Sequence, residues 1–263
     1  MDSLFLDLPD RDAKPRDHGL TMVIDNGIPQ RAFEDGMVSG APYIDVVKFG
    51  WGTALVTPDI ERKLEVLRRE GIGWYFGGTL FEKFVSQNRF ESFLTLCRLC
   101  DCQYIEVSNG TVEMSTAEKA RYIRRCAEEF TVFSEVGFKD AGRSSSLTAG
   151  ELVEAVESDM AAGAAKVITE ARESGRSGIC RPDGTPREDL VDALLDSAVD
   201  VDRILFEAPT KELQTHFIKL IGPNVNLGNV APTDLIGLET LRLGLRSDTL
   251  MLFEKEASHA GSR

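Results

Sequence analysis

The sequence predicts a TIM-type (β/α)8 barrel formed by a single domain. Short apolar runs rich in β-branched residues recur roughly every 20 to 40 residues, and amphipathic stretches with helix-capping residues separate them. Strands that alternate with helices form parallel sheets. The length of 263 residues is close to the roughly 250 residues typical of such barrels. An open, doubly wound sheet is the alternative, but no G-x-G-x-x-G motif follows the first run, which disfavours its nucleotide-binding version.

The predicted strands number eight, as a closed barrel of this type requires. Each is a short, largely apolar segment, such as YIDVVKFG. The predicted strands are residues 20–25, 43–50, 73–78, 103–108, 131–137, 165–171, 203–209 and 225–230.

The stretches between the strands carry helix start and stop signals. In residues 57–71 we predict Thr57 as N-cap, with Pro58 in the first turn and Gly71 at the end. A capping box of Ser115 and Glu118 opens the helix that follows the fourth strand. The same logic predicts helices within residues 147–164 and 210–222.

The domain is expected to span residues 14–253, with residues 1–13 and 254–263 loosely attached. A net charge of −13 argues against nucleic acid or an anionic membrane as a partner. No apolar stretch of roughly 18 residues suggests a membrane span. The polar, acidic start does not resemble a signal peptide, so we expect a cytoplasmic protein, and self-association into a homo-oligomer is possible.

The five cysteines do not suggest a disulfide framework. Cys97, Cys100 and Cys102 are close enough in sequence to suggest a zinc site, but no fourth ligand follows at a recognisable spacing. We therefore interpret them as packed residues at a helix end.

Charged and polar residues recur at the carboxyl ends of the predicted strands, which is where (β/α)8 barrels carry their chemistry. Any one of them could simply begin a solvated loop. The complete set is harder to explain this way, because carboxylates among apolar strand residues need partner cations. The candidates are Asp25, Lys48, Thr79, Glu106, Glu135, Lys139, Glu170, Arg172, Glu207, Asn226 and Asn229.

The candidate ligands are mainly oxygen donors, without a spaced histidine or cysteine cluster. Such a set favours Mg²⁺, and the excess of acids over bases leaves room for a divalent cation. Arg172, Ser174 and Gly175 could form an oxyanion or phosphate clamp, or an ordinary surface loop. The loop containing Gly228 and Asn229 follows the eighth strand, where barrels often bind phosphate, although a simple polar turn is equally compatible. The residues alone thus indicate a metal-assisted enzyme acting on a small anion.

An ordered set of motifs over residues 14–250 resembles the phosphosulfolactate synthase family, which also includes plant heat-stress-associated proteins. The motifs are KPRDHGLTMVIDNGIP, YIDVVKFGWGT, FGGTLFE, YIEVSNG, SEVGFK, EARESG, ILFEAP, VNLGNV and LETLRLGLRSDT.

The resemblance implies an α/β barrel that adds sulfite to phosphoenolpyruvate with the help of Mg²⁺. It implies Lys139 as the acid that protonates the carbon bearing the phosphate, and Lys48 as a ligand of an anionic oxygen. Arg172 and the loop after the eighth strand would hold phosphate. The implied metal ligands, direct or through water, are Glu106, Glu135, Glu170 and Glu207.

Three positions depart from the family pattern: Ala171, Gly228 and Asn109 stand where glycine, alanine and aspartate are expected. The segment after Lys139 is also less basic than in the family. Two alternatives therefore stay open. One is a related enzyme that adds another nucleophile to phosphoenolpyruvate or a similar enol phosphate, and the other is a non-catalytic, stress-associated protein.

Overall fold

A computed structural model describes residues 6–138, 141–172 and 174–254. Eight parallel strands lie in the order β3-β2-β1-β8-β7-β6-β5-β4, with helices between them. Their hydrogen-bonded ladder runs from β3 round to β4, and the side chain of Gln103 accepts a hydrogen bond from Trp74 N where these two edges meet. The result is a nearly closed (β/α)8 barrel, as the sequence predicted. The strands are β1 Thr21–Asp25, β2 Val46–Phe49, β3 Gly73–Phe76, β4 Tyr104–Val107, β5 Thr131–Val136, β6 Lys166–Thr169, β7 Ile204–Glu207 and β8 Leu227–Val230.

The helices cover the outside of the barrel. Apolar side chains of both layers form one continuous core between sheet and helices. The α-helices are α1 Gln30–Gly40, α2 Thr53–Val56, α3 Ile60–Arg69, α4 Gly78–Ser86, α5 Phe90–Leu99, α6 Thr116–Ala127, α7 Ala141–Ser146, α8 Ala149–Ala162, α9 Glu188–Asp196, α10 Lys211–Ile221 and α11 Leu235–Arg242.

A second, smaller apolar layer fills the inside of the barrel. Its members come from β1, β2, β3, β5, β6 and β7, and Tyr104 of β4 packs against them. This layer forms the floor on which the candidate site rests. It consists of Met22, Val46, Tyr75, Phe133, Ile168 and Leu205.

The helix caps agree with the sequence prediction except at α3. The capping box of Ser115 and Glu118 is present on α6. Thr57, however, ends α2 by donating its backbone N–H to Thr53 O, and α3 begins after Asp59, whose φ is 51°. The prediction of Thr57 as the cap of α3 was wrong, because an unpredicted short helix precedes the proline.

The cysteines are free thiols, and the described residues contain no group of three or more histidine, cysteine or acidic side chains that could hold a metal. Of the three neighbouring cysteines, Cys97 and Cys102 are buried and Cys100 is partly buried, as expected for packed residues. No helix in the described part of the chain is long and apolar enough to cross a membrane.

The predicted division into a barrel and two terminal segments stays a prediction. Within the first segment, however, Arg11 forms an ion pair with Glu239 at 2.9 Å and a hydrogen bond with the side chain of Asn224, so it packs against the barrel. Residues 255–263 lie outside the described residues.

Candidate active site

The candidate site is a layer of charged side chains directly above the inner apolar floor. Successive strand residues point to opposite faces, so residues two apart share one face. Lys48 follows Val46 of the floor by two positions, and Glu207 follows Leu205 in the same way. The same step places Glu106, Glu135 and Glu170 above Tyr104, Phe133 and Ile168. Period-two geometry therefore explains why these charges face the barrel interior at its carboxyl end.

The ammonium group of Lys48 lies among three carboxylates. Its Nζ is 3.0 Å from Glu106 Oε2, 3.3 Å from Glu207 Oε1 and 3.4 Å from Glu135 Oε2. Lys48 is only 6% exposed. Burial alone lowers the pKa of Lys48, but the neighbouring carboxylates and Tyr75 outweigh it and hold this pKa well above its ordinary value. Lys48 is thus a permanent cation that partly neutralises the ring of glutamates.

A cavity of about 330 Å³ opens above this ring. It is large enough for a small organic anion, because the usual range for ligand pockets begins near 300 Å³. Its lining includes most of the predicted site residues, and Gly50, Trp51, Gly78 and Thr111 also contribute. The predicted residues that line the cavity are Lys48, Thr79, Glu106, Glu135, Glu170, Arg172, Glu207 and Asn229.

Glu106 is held at the start of α4. Its Oε1 accepts a hydrogen bond of 2.6 Å from Gly78 N, where the helix N-terminus favours a negative charge. A Cβ at Gly78 would lie 2.4 Å from Glu106 Oε1 and 2.3 Å from Ser108 Oγ. Only glycine lets the helix approach this closely, so Gly78 helps to fix the position of Glu106.

The backbone after β6 packs closely against Glu170. Arg172 N donates to Glu170 Oε1 at 2.6 Å, and Ile179 N donates to Glu170 O at 2.7 Å. Gly178 has a φ of +61°, and a Cβ there would lie 1.8 Å from Glu170 O. The loop after β6 can therefore fold back over Glu170 only with glycine at position 178.

Two predicted phosphate ligands stand at the cavity in strained backbone conformations. Arg172 has a φ of 57° and an exposed side chain, and Asn229 has a φ of 53° and is 5% exposed. Asn229 Oδ1 is buried without a hydrogen-bond partner in the described residues. Such strain is costly and concentrates at functional sites. Ser174 and Gly175 follow Arg172 in the same loop but do not line the cavity.

Three other predicted site residues do not line the cavity and make structural contacts elsewhere in the barrel. The carboxylate of Asp25 pairs with Lys63 Nζ at 2.5 Å and accepts from the backbone N–H groups of residues 27 and 28. Asn226 precedes β8 at the amino end of the barrel, and its amide bonds to backbone groups of residues 20, 202 and 204. Gly228 lies within β8, where a Cβ would clash with the inner floor. The prediction that Asn226 binds phosphate was wrong, because it lies at the opposite end of the strand.

Lys139, the predicted general acid, lies outside the described residues. The preceding residues, through Phe138, place the chain at the carboxyl end of β5. The role of Lys139 therefore stays a prediction from the sequence.

A buried polar cluster behind β5 was not predicted. Lys119 Nζ donates to Glu135 O and to Asp159 Oδ2, both at 2.6 Å, and Ser134 Oγ also bonds to Asp159. Lys119 and Asp159 are both nearly fully buried. The cluster fixes the backbone that presents Glu135 to Lys48. The sequence pattern of α6 predicts where the helix begins, but it does not show that the Lys119 side chain points toward the barrel.

The fit of a magnesium ion can be judged from the oxygen donors. Glutamate oxygens and Asn229 Oδ1 line one cavity, and these are the donors that Mg²⁺ prefers. Lys48 lies among three of the glutamates, and no three acidic side chains within the described residues are grouped as a metal site. The site therefore fits an ion held by one or two protein ligands, with water and substrate oxygens completing its shell.

Comparison with known proteins gives concordant matches. The (2R)-phospho-3-sulfolactate synthase (ComA) family model matches residues 9–248. The chain is 52% identical to phosphosulfolactate synthase of Bacillus subtilis, over 96% of this chain and 100% of that protein. It is 43% identical to phosphosulfolactate synthase of Methanothermobacter thermautotrophicus, over 92% of this chain and 95% of that protein.

Among solved structures, the YdjI aldolase of Escherichia coli K12 matches with a TM-score of 0.54. The match covers 86% of each chain at 10% sequence identity. At this identity the likeness concerns the barrel fold alone.

Proposed function

The chain belongs to the (2R)-phospho-3-sulfolactate synthase family, and on that premise we propose that it catalyses the addition of sulfite to phosphoenolpyruvate. The observation that carries the proposal is the 52% identity to a named phosphosulfolactate synthase over 96% of the chain. The charged cavity at the carboxyl end of the barrel supplies a suitable site for the reaction.

Charge balance decides whether two anionic substrates can enter together. Four glutamates line the cavity, so without compensation it would repel both. Lys48 reduces this repulsion, because its ammonium lies within 3.4 Å of three of those carboxylates. We assign Lys48 to balancing the cavity charge and to binding an anionic substrate oxygen from the same position.

The phosphate group of phosphoenolpyruvate is assigned to Arg172. Its side chain is exposed and lines the cavity, and a planar guanidinium matches phosphate oxygens with two parallel hydrogen bonds. The buried Asn229 amide, on β8, offers a second polar contact in the cavity wall. These two residues would orient the substrate with its methylene carbon toward the incoming sulfite.

In the proposed reaction the sulfur lone pair of sulfite forms a bond to the methylene carbon. The π electrons of the enol double bond move toward the neighbouring carbon, and negative charge spreads into the carboxylate. Lys139 Nζ then gives a proton to the carbon that bears the phosphate, as a general acid. No bond to phosphorus breaks, so the product keeps its phosphate ester.

Magnesium is the expected cofactor, and we propose Glu170 and Asn229 Oδ1 as its protein ligands because both residues line the cavity, which leaves the NH2 group of Asn229 for the substrate phosphate. When bound, it would supply Lewis-acid stabilisation of the charge that develops on the substrate carboxylate. The remaining glutamates are assigned to holding Lys48.

Phosphorus NMR of the purified protein with phosphoenolpyruvate, Mg²⁺ and sulfite tests the proposed function. We expect a sulfite-dependent loss of the phosphoenolpyruvate signal, a new phosphate ester and no free phosphate. A sample without sulfite is the control. An unchanged spectrum from folded protein would overturn the proposal, and consumption without sulfite would favour another nucleophile.

A further inference from the structure

A second cavity, distinct from the candidate active site, is lined by three arginines. It has a volume of about 410 Å³ and lies between α7, the loop after β6 and the start of α9. Arg176, Arg181 and Arg187 line it, against one carboxylate, that of Asp189. Concentrated positive charge is unexpected in a protein with a net charge of −13. None of its lining residues belongs to the candidate active site.

The three guanidinium groups differ in how far the protein satisfies them. Arg187 is anchored by Ser144 O at 3.0 Å and by Asp189 at 2.7 Å. Arg181 donates to Pro186 O at 2.9 Å, and its distance to Asp189 is 3.8 Å. Arg176 is exposed and forms no hydrogen bond or ion pair with any described residue. One carboxylate cannot satisfy three guanidinium groups with five N–H donors each, so these cavity-lining arginines keep N–H groups without a partner among the described residues.

The floor of the cavity is polar and well fixed. Ser144 and Ser177 are 4% and 5% exposed. Ser144 Oγ accepts a hydrogen bond of 2.7 Å from Gly178 N, and Ser177 Oγ donates to Phe138 O at 3.1 Å. These hydroxyls line the cavity beside the arginines. Both hydroxyl protons are used within the protein, since Ser144 Oγ also donates to Gly178 O at 3.4 Å. The floor is therefore fixed, and the arginines supply the donors that suit a compact, doubly charged anion with oxygens on several sides.

We propose that this cavity binds a tetrahedral oxyanion of the phosphate or sulfate class. The oxyanion can be a free ion or the phosphate or sulfonate group of a small organic molecule. The proposal does not depend on the proposed reaction, because it concerns binding at a different cavity. The same loop carries Arg172 to the candidate active site, so occupancy would also stiffen the segment that holds Arg172.

Isothermal titration calorimetry with inorganic phosphate tests the proposal on the full-length protein. We expect the Arg176→Gln/Arg181→Gln variant to bind phosphate at least about tenfold more weakly, because each charge-assisted hydrogen bond contributes strongly. Arg62→Gln/Arg121→Gln is the matched control, since it removes the same charge from two side chains that are 69% and 70% exposed. Equal affinity in all three proteins, or no binding by the wild type, would overturn the proposal.

Further variants and a second ligand show which site binds phosphate and in what form. Arg172→Gln should retain the phosphate binding that depends on Arg176 and Arg181. If phosphate binding is lost only in Arg172→Gln, phosphate binds at the active site and the proposal is overturned. Arg176→Gln alone removes an exposed side chain without a described partner, so weakened binding there cannot reflect misfolding. Titration with glycerol 3-phosphate distinguishes the source: tighter binding than inorganic phosphate indicates an organic ligand, and weaker binding indicates the free ion.

Discussion

Lys48 Nζ lies 3.0 Å from Glu106 Oε2, and the side chains of both residues are at least nine-tenths buried. The other oxygen of this carboxylate accepts the backbone N–H of Gly78 at the start of α4. One glutamate therefore links a helix N-terminus to the central cation of the cavity. This arrangement makes the charges at the site depend on one another.

Lys48→Met should destabilise the protein by about 3–5 kcal/mol, because three buried carboxylates would lose their shared cation. Urea unfolding measures this loss. Adding Glu106→Gln to Lys48→Met should restore part of the stability without restoring activity. Wild-type stability in the single variant would show that Lys48 is not holding the glutamates.

Lys139→Ala should lower kcat by at least about 100-fold if Lys139 is the general acid. The urea midpoint should stay near that of the wild type. Lys83→Ala, at an exposed position on α4, is the control for removing a lysine. Undiminished turnover in Lys139→Ala would remove this residue from the mechanism.

Gly178→Ala should impair both stability and activity, because its Cβ would lie 1.8 Å from Glu170 O at a φ of +61°. Gly150→Ala is the matched comparison. A Cβ at this position of α8 would meet no neighbouring atom within 4 Å, so the change should be neutral or stabilise by about 0.5–1 kcal/mol. Thermal unfolding of both variants checks the contrast, and equal effects would contradict the close packing of the loop on Glu170.

The buried thiols should react slowly with a disulfide reagent at pH 8. Burial raises the pKa of Cys126 and of Cys180 to about 12, so both stay protonated in the native protein. Unfolded thiols have a pKa of about 8.5, so the raised pKa of the buried thiols affects the stability of the fold. The stability that comes from burying the neutral thiols is complete below about pH 8.5 and is lost as the pH rises toward the native pKa. Cys100, which is partly exposed, should react first. Rapid titration of all five thiols in native protein would contradict this burial.

Much of the site could be predicted because strand geometry is simple. Alternation with a period of two places Lys48 and Glu207 on the inner face, and the carboxyl ends of parallel strands share one edge of the barrel. Asn226 was wrongly grouped with the residues at the carboxyl ends, although it is the second residue of the predicted strand at residues 225–230. In the structure it precedes β8, and its amide bonds to backbone groups at the amino end of the barrel. Contacts such as Lys63–Asp25, between residues 38 apart, depend on how helix and strand pack, which local patterns do not reveal.

The most direct test of the proposed reaction is to run it in deuterium oxide and follow it by phosphorus and proton NMR. Sulfite addition with protonation by the enzyme predicts a phosphate ester that carries one deuterium on the carbon bearing the phosphate. Lys139→Ala should form little or none of it, and Lys83→Ala should form as much as the wild type. Unchanged phosphoenolpyruvate, or release of inorganic phosphate in place of the ester, from folded wild-type protein would contradict this mechanism.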